Sequence, residues 1–221
     1  MDLFKNELLE PKPNPTIDLD KLTGPASYRQ RRRQRRRELR DLRRAETAAA
    51  AIAGWTRSIE LHGFTKGQFS LIDLIEAVLE ITGPAFMFIS TWTAANNDIT
   101  RALEFLDRQK VISSRWLVDL TFQKRAPQLA QRIRRTAGAD AIRVGKVHAK
   151  LVILKNDKFD VVINTSMNLN YNPRFENFIL RHDPDLAAFY LDLADEIWSR
   201  QRRTLSNAKP GKIEEYFKKE M

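Results

Sequence analysis

The sequence predicts an α/β domain in which helices and strands pack in layers. Two observations support this prediction: helical and strand patterns alternate from Ser70 onward, and short connections join them. The chain has 221 residues, of which 43% are apolar. That is enough for one main core with appendages, rather than two full domains.

The first helix and strand have clear boundaries in the sequence. Apolar residues follow Ser70 at helical spacing, and Ser70 with Asp73 has the pattern of a capping box. Gly83 and Pro84 are expected to end this helix. The short apolar run 85–89 then predicts a strand.

The following segments continue the alternation. Asp98 is expected to cap a second helix, and residues 116–122 have the composition of a strand. A third helix is expected from about Pro127 to Gly138.

The last third of the folded part is richer in strand formers. Two β-rich segments, 141–154 and 159–165, flank the turn sequence 155–158 and predict a hairpin. An amphipathic helix is expected around residues 186–197. Since the sequence contains no internal repeat, an active site with two-fold symmetry would need a second chain.

The positive charge is concentrated near the beginning of the chain. The whole sequence carries 38 Lys and Arg against 28 Asp and Glu, a net charge of +10, and the segment 27–44 alone holds ten arginines against two acids. The other 203 residues therefore carry a net charge of only +2. We expect a flexible leader (1–26), an arginine-rich arm (27–60) with a helix over 27–53, a folded domain (61–203) and a C-terminal tail (204–221).

Arginine at this density points to a polyanionic partner, because the guanidinium group binds phosphate in a bidentate manner. The sequence leaves DNA and RNA open as partners, and it leaves open a solvated tail or a docking site for an acidic protein. The arm residues expected to contact nucleic acid are Arg31, Arg32, Arg33, Arg35, Arg36 and Arg37.

Composition excludes several other kinds of chemistry. The chain has no cysteine, which excludes disulfides, thiolate zinc sites and a cysteine nucleophile. No apolar run reaches the roughly 18 residues of a membrane span, and the first residues lack a secretory signal pattern. We therefore expect a soluble, cytoplasmic protein.

A histidine and a lysine are the strongest candidates for chemistry. His148 and Lys150 are two residues apart in a predicted strand, so both should project to the same face, while Ala149, Leu151 and Ile153 form an apolar row on the other. An imidazole next to an ammonium group is unfavourable in an apolar core but suits a phosphate site.

Short polar side chains follow the returning strand of the hairpin. Ser166 and Asn168 are again two residues apart, and the hairpin should bring them close to His148. Glu176, which Asn177 follows, is expected to orient His148 by accepting a hydrogen bond from its second ring nitrogen.

These residues together resemble a known signature. His148-x-Lys150, then Ser166-x-Asn168 and Glu176-Asn177, are similar to the motif of the phospholipase D superfamily, in particular its small single-motif phosphodiesterases and nucleases. The resemblance spans residues 68–200 and implies a mixed central sheet flanked by helices. Two positions depart from the family pattern: Lys155 stands where the family has an aspartate, and Thr165 replaces the usual glycine.

The resemblance also implies a mechanism. One histidine would attack phosphorus to form a phosphohistidine, and a second histidine would protonate the leaving oxygen. With one motif per chain, the second His148 would come from a homodimer, and neither a metal nor another cofactor would be needed. The implied roles are catalytic for His148, Lys150, Asn168 and Glu176, and phosphate-binding or supporting for Ser166 and Asn177.

Three functions are compatible with the sequence. The first is a metal-independent phosphodiesterase acting as a nuclease on DNA or RNA, with DNA favoured as the partner. The second is a catalytically degenerate nucleic-acid-binding protein, as would suit a phage or a mobile element. The third is phospholipid hydrolysis, which is disfavoured because the sequence shows no evident membrane-inserting surface.

Overall fold

The computed structural model describes residues 35–201, except for the side chains of residues 123 and 124. Within this range the chain forms eight strands and six helices. The strands are β1 (Arg36–Asp41), β2 (Ile59–Thr65), β3 (Ala85–Thr91), β4 (Val111–Asp119), β5 (Ile142–Gly145), β6 (Leu151–Lys155), β7 (Asp160–Thr165) and β8 (Glu176–His182). The helices are α1 (Ala48–Ala51), α2 (Leu71–Thr82), α3 (Asn96–Asp107), α4 (Leu120–Arg125), α5 (Pro127–Ala137) and α6 (Pro184–Arg200).

All eight strands join one mixed sheet, in the order β1-β2-β8-β7-β6-β3-β4-β5. The pairs β1–β2, β3–β4 and β4–β5 are parallel, and the four pairs between β2 and β3 are antiparallel. The expected α/β layered domain with a mixed central sheet flanked by helices is confirmed.

The two faces of the sheet are covered to different extents. Helices α1–α5 contribute to the large apolar core on one face. On the other face α6 covers β3, β6 and β7, where Leu151 and Ile153 of the predicted apolar row pack with Ala187 and Trp198. Ala149, the third residue of that row, is exposed because it lies before β6 begins. On that second face β8, β2 and β1 extend beyond α6, and Leu39 there is 75% exposed. We call this part the uncovered face.

The helix α2 illustrates how local sequence defines the first layer. Ser70 and Asp73 form the expected capping box, in which the Ser70 Oγ and the Asp73 carboxylate satisfy each other's backbone N–H groups. Gly83 ends the helix with φ of 77°, a conformation that favours glycine. The expected strand after it is confirmed as β3, and the helices expected near Pro127 and around residues 186–197 are confirmed as α5 and α6.

The arginine-rich segment is a strand where the sequence predicted a helix. The described part of the predicted helix is wrong over residues 36–47, because Arg36–Asp41 pairs in parallel with β2 and only α1 is helical. Arg40 donates to the backbone oxygen of Ala51 and pairs with Glu38 at 2.9 Å, which holds this edge strand against the helix layer. Pairing with the sheet overrides the helix propensity of arginine. Residues 27–34 lie outside the described residues.

This strand also moves the domain boundary. Residues 36–60, which the sequence assigned to the arm, contribute β1, α1 and the start of β2 to the folded sheet. The leader 1–26 and the tail 204–221 lie outside the described residues.

Three other expectations need correction. The strand predicted over 116–122 ends at Asp119, because the Asp119 carboxylate caps α4. Phe122 therefore belongs to this helix. Asp98 lies in the first turn of α3, whose N-cap is Ala95. The β-rich segment 141–154 is two strands, β5 and β6, with an irregular stretch at 146–150 between them.

None of the helices in residues 35–201 has both the length and the apolar character needed to cross a membrane.

Candidate active site

The predicted site residues lie together at one border of the sheet, where the ends of the central strands meet. We call this border the edge that carries the site. Because the central strands are antiparallel, β3 and β7 end where β6 and β8 begin: Ser90 lies opposite Leu151, Leu151 opposite Asn164, and Asn164 opposite Ile179. The segments that carry His148, Ser166 and Glu176 therefore meet at the same edge.

His148 and Lys150 form a close pair at this edge. The Lys150 Nζ lies 3.1 Å from Nδ1 and 3.2 Å from Nε2 of His148. The expectation that both residues sit in a strand is wrong, because they lie in the irregular stretch before β6, yet their side chains meet as predicted. His148 is exposed, so the imidazole is open to a substrate.

The electrostatics of Lys150 fit an anion site. Burial lowers the pKa of the Lys150 ammonium group from its ordinary value, and the nearby Glu176 carboxylate opposes that change. A half-buried cation next to an imidazole stabilises an incoming phosphate more strongly than a fully solvated lysine would.

Ser166 links the end of β7 to the start of β8. Its Oγ donates to the Glu176 Oε2 and accepts from the backbone N–H of Asn177 at 3.0 Å. The backbone N–H of Ser166 donates to the Asn177 oxygen at 3.1 Å. The expected Glu176–His148 contact is therefore replaced by a Glu176–Ser166 hydrogen bond, because β8 places the carboxylate over the end of its neighbour β7.

Asn168 carries a polar atom that needs a partner. Its Oδ1 is buried and makes no hydrogen bond among the described residues, which is unusual for a buried amide. The backbone around it is fixed, since Leu169 receives a hydrogen bond from Ala95 and donates one to the Thr91 Oγ1. The structure thus places Asn168 at the same edge with an unpaired acceptor at Oδ1, while its Nδ2 group is the part of the amide that can donate to an anion.

An aromatic residue that the site prediction did not include contacts His148. Trp92 follows β3, and its ring centroid lies 5.6 Å from that of His148 at a tilt of 47°. The guanidinium of Arg125 lies over the same Trp92 ring, 6.0 Å from its centroid. Only the fold shows that the Trp92 side chain touches the imidazole.

Asp119 is a second residue that sequence reasoning missed. Its buried carboxylate accepts from Thr121 N at 2.8 Å, from Thr121 Oγ1 at 2.7 Å and from the backbone N–H of Val147 at 3.0 Å. It therefore ties the cap of α4 to the residue just before His148. A carboxylate at the end of an apolar strand was the available signal.

Lys155, which stands where the family motif has an aspartate, lies at the opposite end of β6 from His148. It pairs with Asp160 across the hairpin. The Lys155–Asp160 ion pair therefore lies beside the turn of the hairpin and away from the imidazole of His148.

Only some of the arginines of the predicted arm lie within the described residues. Arg31, Arg32 and Arg33 lie outside them. Arg36 and Arg37 are on the edge strand β1, with side chains 76% and 55% exposed, and Arg37 lies 3.6 Å from the Glu60 carboxylate. These two guanidinium groups belong to the folded sheet and face solvent.

Within the described range, no group of three or more His, Asp or Glu side chains is arranged to hold a metal ion.

Comparison with solved structures finds similar folds, among them the following two. Polyphosphate kinase from Porphyromonas gingivalis matches with a TM-score of 0.49 and 15% sequence identity, over 73% of this chain and 29% of that protein. Nuc, a phospholipase D family member from Salmonella typhimurium, matches with a TM-score of 0.47 and 16% identity, over 64% of this chain and 94% of that protein. No family profile and no curated protein matches the sequence. These likenesses in fold assign no role to any residue of this chain.

We predict that Asp119→Ala loosens the segment that carries His148. The change removes a helix cap and leaves the Val147 N–H without its acceptor, so the free energy of unfolding should fall by about 1–3 kcal/mol. Amide hydrogen exchange at Val147 should accelerate, which mass spectrometry or NMR can measure.

The matched control is Asp183→Ala, which removes the N-cap of α6, where Asp183 accepts from Leu186 at 3.2 Å. It should cost similar stability and leave exchange at Val147 unchanged. Equal acceleration in both variants would mean that Asp119 has no specific role in holding this segment.

Proposed function

We propose that this protein is a metal-independent phosphodiesterase that cleaves nucleic acid through a phosphohistidine on His148. The observation that carries the proposal is the His148–Lys150 pair, 3.1 Å apart, at an edge that also holds Ser166 and Glu176. A nucleophile next to a half-buried cation is what phosphoryl transfer requires when the charge is neutralised by side chains.

In the first step a ring nitrogen of His148 attacks phosphorus. A nitrogen–phosphorus bond forms, the bond to the leaving oxygen breaks, and the leaving oxygen takes a proton from a second imidazole. Lys150 and the amide of Asn168 would bind the non-bridging oxygens as their negative charge grows, and such donors are typically worth about 3–4 kcal/mol each.

In the second step water replaces the imidazole. The second imidazole, now neutral, takes a proton from water as the oxygen attacks phosphorus and the nitrogen–phosphorus bond breaks. The site returns to its starting protonation state, and one phosphodiester has been converted into an alcohol and a phosphate monoester.

The second imidazole is proposed to come from a second copy of the chain. The other two histidines make hydrogen bonds within the sheet. His62 bonds the Glu60 carboxylate at 2.8 Å, and His182 accepts from the backbone N–H of Asp160 at 3.0 Å. A symmetric homodimer in which two copies of His148 face each other supplies the missing acid, and two-fold dimers are the commonest soluble assemblies.

Nucleic acid is the proposed substrate because of where the charge lies. Residues 27–44 hold ten arginines, and the exposed Arg36 and Arg37 place two of them on the folded sheet. A polyanion bound by this segment would be presented to a phosphoryl-transfer site on the same chain. We propose DNA as the first polymer to test and RNA as the second.

A binding protein without catalysis is the second candidate. The observation that favours it is Lys155, which occupies the aspartate position of the family motif and pairs with Asp160. In that case the edge would bind phosphate without transferring it.

We predict that the protein hydrolyses bis(p-nitrophenyl) phosphate and labelled DNA in excess chelator, and that His148→Ala reduces the rate by at least roughly 10³-fold, because it removes the nucleophile. The control His182→Asn keeps an acceptor for Asp160 and should retain the rate. Release of nitrophenolate and gel electrophoresis provide the measurements.

Loss of hydrolysis in chelator would contradict the metal-independent mechanism. If wild type and His148→Ala bind DNA with equal affinity and neither cleaves it, the result would support the second candidate, a binding protein without catalysis.

We also predict that activity is lost in two steps on the alkaline side of the pH–rate profile. The first step is deprotonation of the second imidazole, which must be protonated to act as the acid. Because burial lowers the pKa of Lys150, the second step, loss of the Lys150 positive charge, should occur below the ordinary lysine value of 10.5. Arginine stays charged throughout this range, so Lys150→Arg should remove the second step of kcat/KM and leave the first. A second step that persists in Lys150→Arg would mean that another group causes it.

A further inference from the structure

Two phenylalanine rings lie stacked at the surface next to the candidate site. Phe64 is 46% and Phe175 is 65% exposed, and their ring centroids are 5.6 Å apart with an angle of 16° between the planes. Exposed large apolar side chains are ordinary when scattered, but a nearly parallel exposed pair leaves aromatic area open to solvent. We call this pair the aromatic platform.

The backbone holds the platform in place. Phe64 lies in β2 opposite Asn177, and Phe175 immediately precedes β8. The loops that follow and precede these strands touch at Gly67, which has φ of 80°, and a Cβ built there would lie 2.7 Å from the backbone nitrogen of Arg174. Only glycine permits this approach, so the two rings are carried by segments that pack backbone against backbone.

The platform is close to the proposed phosphate site. Glu176, which bonds Ser166, is the next residue after Phe175 and lies opposite Thr65, the residue after Phe64. The strands β8 and β2 are two and three positions from β6, which corresponds to about 10–14 Å at the usual strand spacing. A polymer bound at His148 can therefore reach the rings within a few nucleotides.

Cations flank the rings. Lys66 and Arg174 are exposed, and neither side chain forms an ion pair in the described part of the chain. Aromatic faces bordered by unpaired positive charge match a ligand that has both rings and phosphates. A two-fold contact with a second copy around this patch would bring these cations towards their own equivalents, which is unfavourable.

A groove continues from the platform across the uncovered face. It has a volume of about 700 Å³, and its lining includes Phe64 and Asn177 at one end and Leu39, His62 and Arg43 further along. Towards β1 the lining includes the apolar Leu39 and the guanidinium groups of Arg40 and Arg43, which pair with Glu38 and Asp41.

We infer that the aromatic platform binds unpaired bases, so that the substrate is single-stranded nucleic acid running from His148 over Phe64 and Phe175 into the groove. Bases in a duplex are stacked on each other and cannot offer their faces to these rings, whereas an unpaired base can. The inference rests on the proposed function for the identity of the polymer, and it specifies the form of that polymer.

The test measures affinity without cleavage. In a His148→Ala background, fluorescence anisotropy compares a labelled oligothymidylate with a labelled hairpin duplex of equal phosphate number. Replacing both rings, Phe64→Leu with Phe175→Leu, should weaken binding of the single strand by roughly ten-fold or more and change duplex binding by less than about two-fold. Phe175→Trp keeps a ring and should retain single-strand affinity.

The matched control is Ile112→Ala, which alters another exposed apolar side chain, 69% exposed, at the far end of the sheet. It should leave both affinities unchanged. Thermal unfolding of each variant identifies any that fail to fold, and the tryptophan variant then decides the outcome.

Several results would overturn the inference. Unchanged single-strand affinity in the double leucine variant would do so, as would an equal loss for single strand and duplex. Dissociation of a dimer by the same variant, seen as a change of mass in solution, would show that a second copy covers the rings.

Failure of the proposed function gives a different result. Hydrolysis of bis(p-nitrophenyl) phosphate by the double leucine variant with intact His148 should equal that of wild type, because this small substrate does not extend to the groove. If wild type hydrolyses nothing while single-strand affinity still depends on the rings, the enzyme proposal fails and the platform stands.

Discussion

The antiparallel pairing of β6 with both β3 and β7 is the constraint on which the candidate site depends. Because β6 runs in the opposite direction to β3 and β7, the ends of β3 and β7 lie next to the start of β6. Chain segments far apart in sequence therefore meet where these strands end. His148, Ser166 and Trp92 come together for this reason. The helix layers bury the two faces of these strands, and the candidate site lies where the strands end.

Patterns that depend on neighbours in the sequence predicted the fold well, and patterns that depend on the sheet did not. The capping box of Ser70 and Asp73 is complete within one helical turn, which is why α2 could be predicted with its boundaries. The segment Arg36–Asp41 has helix-forming residues, but the open edge of β2 offers backbone partners that the sequence does not reveal. Its conversion to a strand also changes how the charge is used, since these arginines belong to the sheet.

The candidate site was predictable to the extent that its residues are close in sequence or joined by a hairpin. His148 and Lys150 satisfy the first condition, and Ser166 satisfies the second. Asp119 and Trp92 come from strand ends in the first half of the fold, and only the three-dimensional order of strands brings them to this edge. The hydrogen bond from Ser166 to Glu176 likewise follows from strand order and could not be read from spacing.

The central claim is that a histidine nitrogen replaces one bond to phosphorus before water replaces another. The stereochemical course at phosphorus tests this most directly, using a chiral phosphorothioate diester hydrolysed in isotopically labelled water. Two in-line displacements give overall retention of configuration, which is the result predicted for a phosphohistidine on His148. Inversion would show a single displacement by water and would contradict the proposed mechanism.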